Sequence, residues 1–310
     1  MHPGTSVGVQ ATPREARRAV QADARAAAHA AASADAHTPP VTVIVPVHGW
    51  LPLRLGELWS YRELVYFLAW REVKIRYKQT ALGACWAVLQ PLAAMGIFSL
   101  VFGRLARLPS DGVPYPLFSL AALVPWTYFS TGIGQAANSL VGNQHLLRKV
   151  YFPRLALPLA AVLAAGVDFL IAFALLLIAC LAYGVTPGPR ALWLLPVTAL
   201  ALAAALGVGL WLAAFNVRYR DVRYALPFLT QLWLYATPVV YPSSLLPSEW
   251  RTFAALNPLV GVVEGFRWAL LGTASRPGPL LAVSALSALA LLASGVAYFR
   301  RVERHFADIV

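Results

Sequence analysis

The sequence predicts an all-α membrane protein. It has six transmembrane helices, an amphipathic interface helix before the first, and two short re-entrant helices on the outer side before the last. Three observations carry that prediction. First, the 310 residues are 59% hydrophobic and 12% charged, against about 25% charged in soluble domains, and the mean hydropathy is +0.63. Second, six apolar stretches match the ~20 residues that cross ~30 Å of hydrocarbon, near 83–103, 116–140, 156–183, 191–215, 225–241 and 279–299, the fifth being the shortest. Third, the basic residues divide unequally between the two sides.

With a cytoplasmic N-terminus, one side holds Arg62, Arg71, Lys74, Arg76, Lys78, Arg148, Lys149, Arg154, Arg218, Arg220, Arg223, Arg300, Arg301 and Arg304. The other holds Arg104, Arg107, Arg190, Arg251, Arg267 and Arg276. Fourteen against six places both termini in the cytoplasm by the positive-inside rule. The net charge of +12 is therefore read as positive charge at a membrane surface, with no nucleic-acid partner expected.

The elements follow in order. Residues 1–50 form an extension, rich in Ala over its first 40 residues, with Arg14, Arg17, Arg18 and Arg25 there and no aromatic. Such a segment buries little and reads as disordered or loosely helical. VTVIVPV at 41–47 is too short to span. The chain's start shows no apolar signal region, so the first spans act as the membrane signal. Residues 51–310 form the membrane domain.

Its first element is an interface helix over 57–80, including WREVKIRYK. On a helix, Arg71, Lys74 and Lys78 fall within about 60° of one another, with Trp70, Val73 and Tyr77 opposite. Leu58, Trp59, Tyr61, Leu64 and Phe67 add apolar area upstream. Cations beside aromatics suit a helix lying at headgroup depth, read either as a plain anchor or as a surface for an anionic headgroup.

The loop at 145–154 carries Leu146, Leu147, Val150, Tyr151 and Phe152 flanked by Arg148, Lys149 and Arg154, and Pro153 stops its helix. An exposed apolar knob rimmed by charge marks either a docking surface or a helix resting on lipid. The segment at 242–278 is long yet apolar, and Pro242, Pro247 and Pro258 cut it into pieces too short to cross. Two re-entrant helices within 243–275 satisfy its backbone if protein encloses them; helices lying flat on the surface are the alternative. Gly261 and Gly265 add a weak hint of close helix contact.

Catalytic chemistry finds no constellation. There is no phosphate-binding G-x-x-x-x-G-K-[ST], no nucleophile–His–acid set and no paired carboxylates. Cys85 and Cys180 lie in apolar segments without metal-ligand spacing and read as small packing residues, so no metal site is expected. Asp168 and Glu264 are the two acids inside apolar segments. Asp168 lines a conduit, caps a neighbouring helix or is a satisfied packing acid. Glu264 and Arg267, three residues apart, suit an intrahelical pair.

The run REVKIRYKQTALGACWAVLQPL resembles the opening segment of ABC-2 type permease subunits of the O-antigen, teichoic-acid and polysaccharide exporter family. The resemblance is carried there by Arg76, Tyr77, Lys78, Leu82, Gly83, Trp86, Gln90, Pro91 and Leu92. HLLRKVYFPRLALP at 145–158, FNVRYRDVRYALPFLTQLWLYATPVVYP at 215–242, and 247–272 with Leu256, Asn257, Pro258 and Leu259 resemble the family's two cytoplasmic loops, fifth span and outer re-entrant pair, in order. The likeness covers about 57–305 and leaves the first 50 residues unexplained.

The resemblance implies a transport subunit of an ATP-driven exporter in a bacterial inner membrane, a homodimer with two nucleotide-binding ATPase subunits. The cargo it implies is a polysaccharide linked to undecaprenyl diphosphate, such as O-antigen. The chain then binds no cofactor itself, ATP and Mg acting through the partner. Arg71, Lys74, Arg76, Tyr77 and Lys78 become a gate for the lipid headgroup. Trp86, Tyr128, Phe129, Trp233 and Tyr235 become candidates to line the sugar conduit, flat rings suiting sugar C–H faces. Leu147, Arg148, Lys149, Tyr151, Phe152 and Pro153 become the coupling to the ATPase, and Trp250, Asn257, Pro258, Glu264 and Arg267 an outer gate. A smaller lipid or drug as cargo, a secondary carrier, and a membrane enzyme acting on lipid-linked sugars are the rival readings.

Overall fold

The longest helix shows how this sequence builds spans. It runs Tyr115–Gly142, with Pro116 in its first turn, where a missing N–H costs nothing. Pro125 interrupts its ladder, and the Thr127 hydroxyl bonds back to the Leu123 and Val124 carbonyls at 2.8 and 3.0 Å. Nineteen of its 28 residues are buried, which makes it the central helix.

The computed structural model describes residues 55–78, 83–150, 152–219, 221–273 and 278–303. The 1–50 extension, the 41–47 run, the 79–82 turn, Tyr151, Arg220, Arg276 and Arg304 lie outside the described residues. Within them the order is α1 (Leu55–Ser60), α2 (Arg62–Lys78), α3 (Gly83–Phe98), α4 (Tyr115–Gly142), α5 (Gln144–Lys149), α6 (Ala156–Ala182), α7 (Leu194–Arg218), α8 (Val222–Ala236), α9 (Ser248–Ala254), α10 (Pro258–Leu271) and α11 (Gly278–Glu303). No strand occurs among the described residues.

Five helical segments are long and apolar enough to cross a membrane: Cys85–Leu105, Tyr115–Gly142, Ala156–Ala182, Pro189–Arg218 and Gly278–Glu303. The first continues α3 through a π-helical stretch, Ser99–Leu105. The sixth expected stretch, 225–241, is not among them. There α8 has 15 residues, about 22 Å at 1.5 Å per residue. Pro238 is the cause: it forces the preceding residue out of the helical region, and Thr237 is extended with φ −99° and ψ 138°. Where one helix is expected over 57–80, the described residues form two, α1 and α2, separated at Tyr61.

α4 packs against α6 and α7, and α11 crosses α7. That last crossing needs glycine. A Cβ on Gly207 would lie 2.7 Å from the Leu292 nitrogen, and one on Gly295 would lie 2.5 Å from the Gly207 carbonyl oxygen. Small residues let the two backbones touch, the usual device where lipid supplies no hydrophobic drive.

Two apolar cores result. The larger holds Phe129, Leu176 and Phe266 among its fully buried residues and fills the middle and the end away from the basic loops. The second joins Val65 and Leu68 of α2 to Leu140, Phe152, Leu155, Leu210, Val217 and Phe299. Residues near the C-termini of α4, α7 and α11 and the N-terminus of α6 meet there, so the loops rich in Arg and Lys share one end of the bundle. By contrast, α3 and α8 turn most of their apolar surface outward: Leu226 is the buried residue of α8, and Tyr224 and Phe228 are widely exposed.

Candidate functional site

α2 divides its cations. Val65, Leu68 and Val73 face protein, and the helix packs against α6. Arg71 donates through Nη2 to Glu72 at 2.8 Å and to the Asn143 side-chain oxygen at the end of α4. Arg76 forms an ion pair with Asp168 of α6, and the Tyr77 hydroxyl donates to the other oxygen of that carboxylate. Lys74 and Lys78 remain exposed, with the Lys74 ammonium 5.6 Å from the Trp70 ring centroid. The five gate residues are thus one helix with two environments. Burial lowers the Arg76 guanidinium from its usual range, opposed by Tyr77 and Glu72, and burial raises the Tyr77 hydroxyl.

Asp168 resolves as a partnered acid, the condition that a carboxylate within a span requires. Ninety-two residues separate it from Arg76, so no local spacing signals the pair. It also faces a cavity of about 220 Å³ lined by Arg76, Trp86, Gln90, Tyr128 and Thr131. Two of the expected lining aromatics, Trp86 and Tyr128, therefore border the same cavity as the Arg76–Asp168 pair. The others do not join them. Tyr235 is exposed on α8, and Trp233 is half-buried with its ring centroid 5.0 Å from Phe129. Phe129 is fully buried and packs against Trp126 and Trp233.

The apolar residues of the 145–154 loop divide. Phe152 and Pro153 are buried, and Leu147 is half-buried against the second core. These three secure the loop from beneath, whereas Val150 is exposed. Arg148, Lys149 and Val150 form its outward surface. Arg154 reaches Glu303 of α11, its Nη1 donating to the Glu303 carbonyl at 2.7 Å.

At the far end, α10 is punctuated by its sequence. The Asn257 side chain caps Leu259 N–H at 3.1 Å, Pro258 opens the first turn, and Gly272 closes the helix at φ +68°. Arg267 is fully buried and pairs with Glu264 at 3.2 Å. It also donates to the carbonyls of Pro238 and Val239, both at 2.7 Å, and stacks 3.5 Å over the Phe118 ring. Glu264 accepts from the Ser243 N–H at 3.3 Å. This node closes the α8–α9 connection over α4 and α10. Trp250 on α9 is exposed, so the expected outer-gate residues divide into a buried node and a surface helix.

The model of the ABC-2 type transporter family matches residues 63–271. An O-antigen export system permease protein, RfbA, of Myxococcus xanthus is 33% identical over 259 residues, covering 82% of this chain and 98% of that protein. A Klebsiella pneumoniae protein of the same name is 25% identical over 250 residues, 80% of this chain and 95% of its own length. The polysialic acid transport protein KpsM of Escherichia coli is 27% identical over 238 residues, 75% of this chain and 91% of its own. The family model spans α2 through α10, the elements that build both arginine sites, and the chain belongs to the ABC-2 type transporter family.

Proposed function

We propose that this chain is the membrane permease of an ATP-driven exporter that moves a polysaccharide linked to undecaprenyl diphosphate, such as O-antigen, from the cytoplasmic side of a bacterial inner membrane. The observation that carries the reading is a 33% identity that extends over 98% of an O-antigen export permease. Lys74 and Lys78 on the outward face of α2, with Trp70 beside them, support a headgroup gate: aromatics at the interface place cations at phosphate depth. Arg71 and Arg76 stand behind them with acids as current partners.

In this reading the subunit works as a homodimer with two ATPase subunits, and both termini are cytoplasmic. The outward surfaces of α3 and α8 supply apolar area for the second copy or for lipid. α8 with the extended 237–241 segment completes a sixth crossing. α9 and α10 form the outer re-entrant pair, for which the enclosure of α10 by protein is the support. Arg148 and Lys149 receive the ATPase, with Phe152 stiffening the loop behind them. Chemistry stays with the partner, because the chain's acids and bases are arranged as pairs and not around a reacting centre.

The test is reconstitution in nanodiscs with the co-purified ATPase. ATP hydrolysis is expected to rise when undecaprenyl diphosphate-linked glycan is supplied, and Lys74→Glu with Lys78→Glu to remove that rise. A response unchanged by charge reversal rejects the headgroup gate. Export that persists without any ATPase makes the protein a secondary carrier instead.

A further inference from the structure

A second cavity, of about 500 Å³, lies beneath α2 at the basic end of the bundle. Its volume falls within the roughly 300–1,000 Å³ usual for ligand pockets. One wall is polar: Arg71 and Glu72 from α2, Gln135 and Asn138 from α4, and Asn143 after it. The facing wall is apolar, made by Leu157, Ala160 and Ala161 in the first turns of α6.

Two polar groups in this wall have hydrogen-bonding capacity that the described residues do not fill. Arg71 Nε is buried and has no hydrogen-bond partner among the described residues. The half-buried Gln135 carboxamide makes no side-chain hydrogen bond to a described residue. Buried donors ordinarily find partners, and the cavity that Arg71 lines is where a ligand can supply an acceptor for its Nε.

The chemistry selects the class. The charged groups of the wall are Arg71 and Glu72, paired at 2.8 Å, so the cavity offers an anion little net attraction. An acyl chain would leave amide and guanidinium donors desolvated and unpaired, which disfavours it. A pyranose fits both walls: its hydroxyls donate to and accept from carboxamides, and its C–H face lies on Leu157 and the alanines. The location agrees. Lys74 is three residues beyond Arg71, about 4.5 Å along the helix, so a sugar joined directly to a phosphate at Lys74 falls within reach of the cavity.

We infer that this cavity binds the first neutral sugar attached to the anionic lipid headgroup, so that the protein distinguishes a sugar-bearing carrier lipid from the bare one. The inference rests on the headgroup reading above, and the two can be separated experimentally.

The full chain in nanodiscs is titrated with two probes, undecaprenyl diphosphate and undecaprenyl diphosphate carrying one N-acetylhexosamine. The sugar-bearing probe is expected to bind about tenfold more tightly, the gain from one or two added hydrogen bonds. Gln135→Ala, which removes the carboxamide, and Ala161→Val, which narrows the cavity from the opposite wall, are each expected to erase that advantage and leave the bare lipid's affinity unchanged. Equal binding of the two probes by the natural protein overturns the sugar site and leaves the headgroup gate standing. An advantage retained in both variants also overturns it, since the sugar then binds elsewhere. If neither probe binds, the headgroup reading itself fails.

Discussion

Arg267 and Arg76 each face an acid, and the two pairs are built for different purposes. Arg267 and Glu264 are 1% and 7% exposed, and the guanidinium is spent on backbone carbonyls and on the Phe118 ring. Arg76 and Asp168 are 30% and 28% exposed and border a cavity. A saturated, sealed pair has nowhere to send either charge, because separation leaves an ion in a low-dielectric interior. A half-exposed pair beside a cavity can exchange one partner for another anion while water attends the other. The Arg267 end is thus fastened and the α2 end is left able to change.

The comparison is tested first where it predicts the largest loss. Arg267→Met is expected to destabilise the protein by about 3–5 kcal/mol, since Glu264 stays buried without its cation and the Pro238 and Val239 carbonyls lose their donors. Thermal unfolding in detergent reads this, and adding Glu264→Gln should recover part of the loss. A cost below 1 kcal/mol would mean that the Arg267 node is not a fastening.

Gly207→Ala comes next. The new methyl would meet the α11 backbone at 2.7 Å, and a backbone cannot swing aside as a side chain can. About 1–3 kcal/mol is expected by the same measurement. Gly134, near which nothing lies within 4 Å, is the control, and Gly134→Ala should not destabilise.

Asp168→Asn should cost about 1–2 kcal/mol, between the values for exposed and sealed pairs, because its partner stays hydrated. A loss as large as that of Arg267→Met would erase the distinction between the two ends.

Much of this was legible in the sequence, and the limits have physical causes. Apolar length gave the five long spans within a few residues, since hydropathy is a local property. The Glu264–Arg267 pair was legible too, three residues apart on one helix. The Arg76–Asp168 pair was not, because it joins residues whose only common signal is that each is costly alone. The 225–241 stretch is the exception: its composition continues apolar past Ala236, but Thr237 precedes a proline and leaves the helix. Phe129 and Phe152 were legible as aromatics, yet which way a ring points depends on helix neighbours that hydropathy does not specify.

The smallest stability effect, and the sharpest separation within α2, is expected at Lys74 and Lys78. Both are exposed, so Lys74→Gln and Lys78→Gln should alter stability by less than about 0.5 kcal/mol. Each should nevertheless weaken binding of undecaprenyl diphosphate in nanodiscs about fivefold, near 1 kcal/mol per cation at a membrane surface. The loss should shrink as salt rises, because these charges are screened over about 10 Å at 0.1 M. Arg76→Gln should show the reverse pattern: a measurable loss of stability, from Asp168 left without its cation, and a smaller loss of affinity, since the arginine is already engaged. If Arg76→Gln and Lys74→Gln weaken the lipid equally and neither affects unfolding, the cations of α2 act as one uniform patch, and the Asp168 pair has no separate part in the gate.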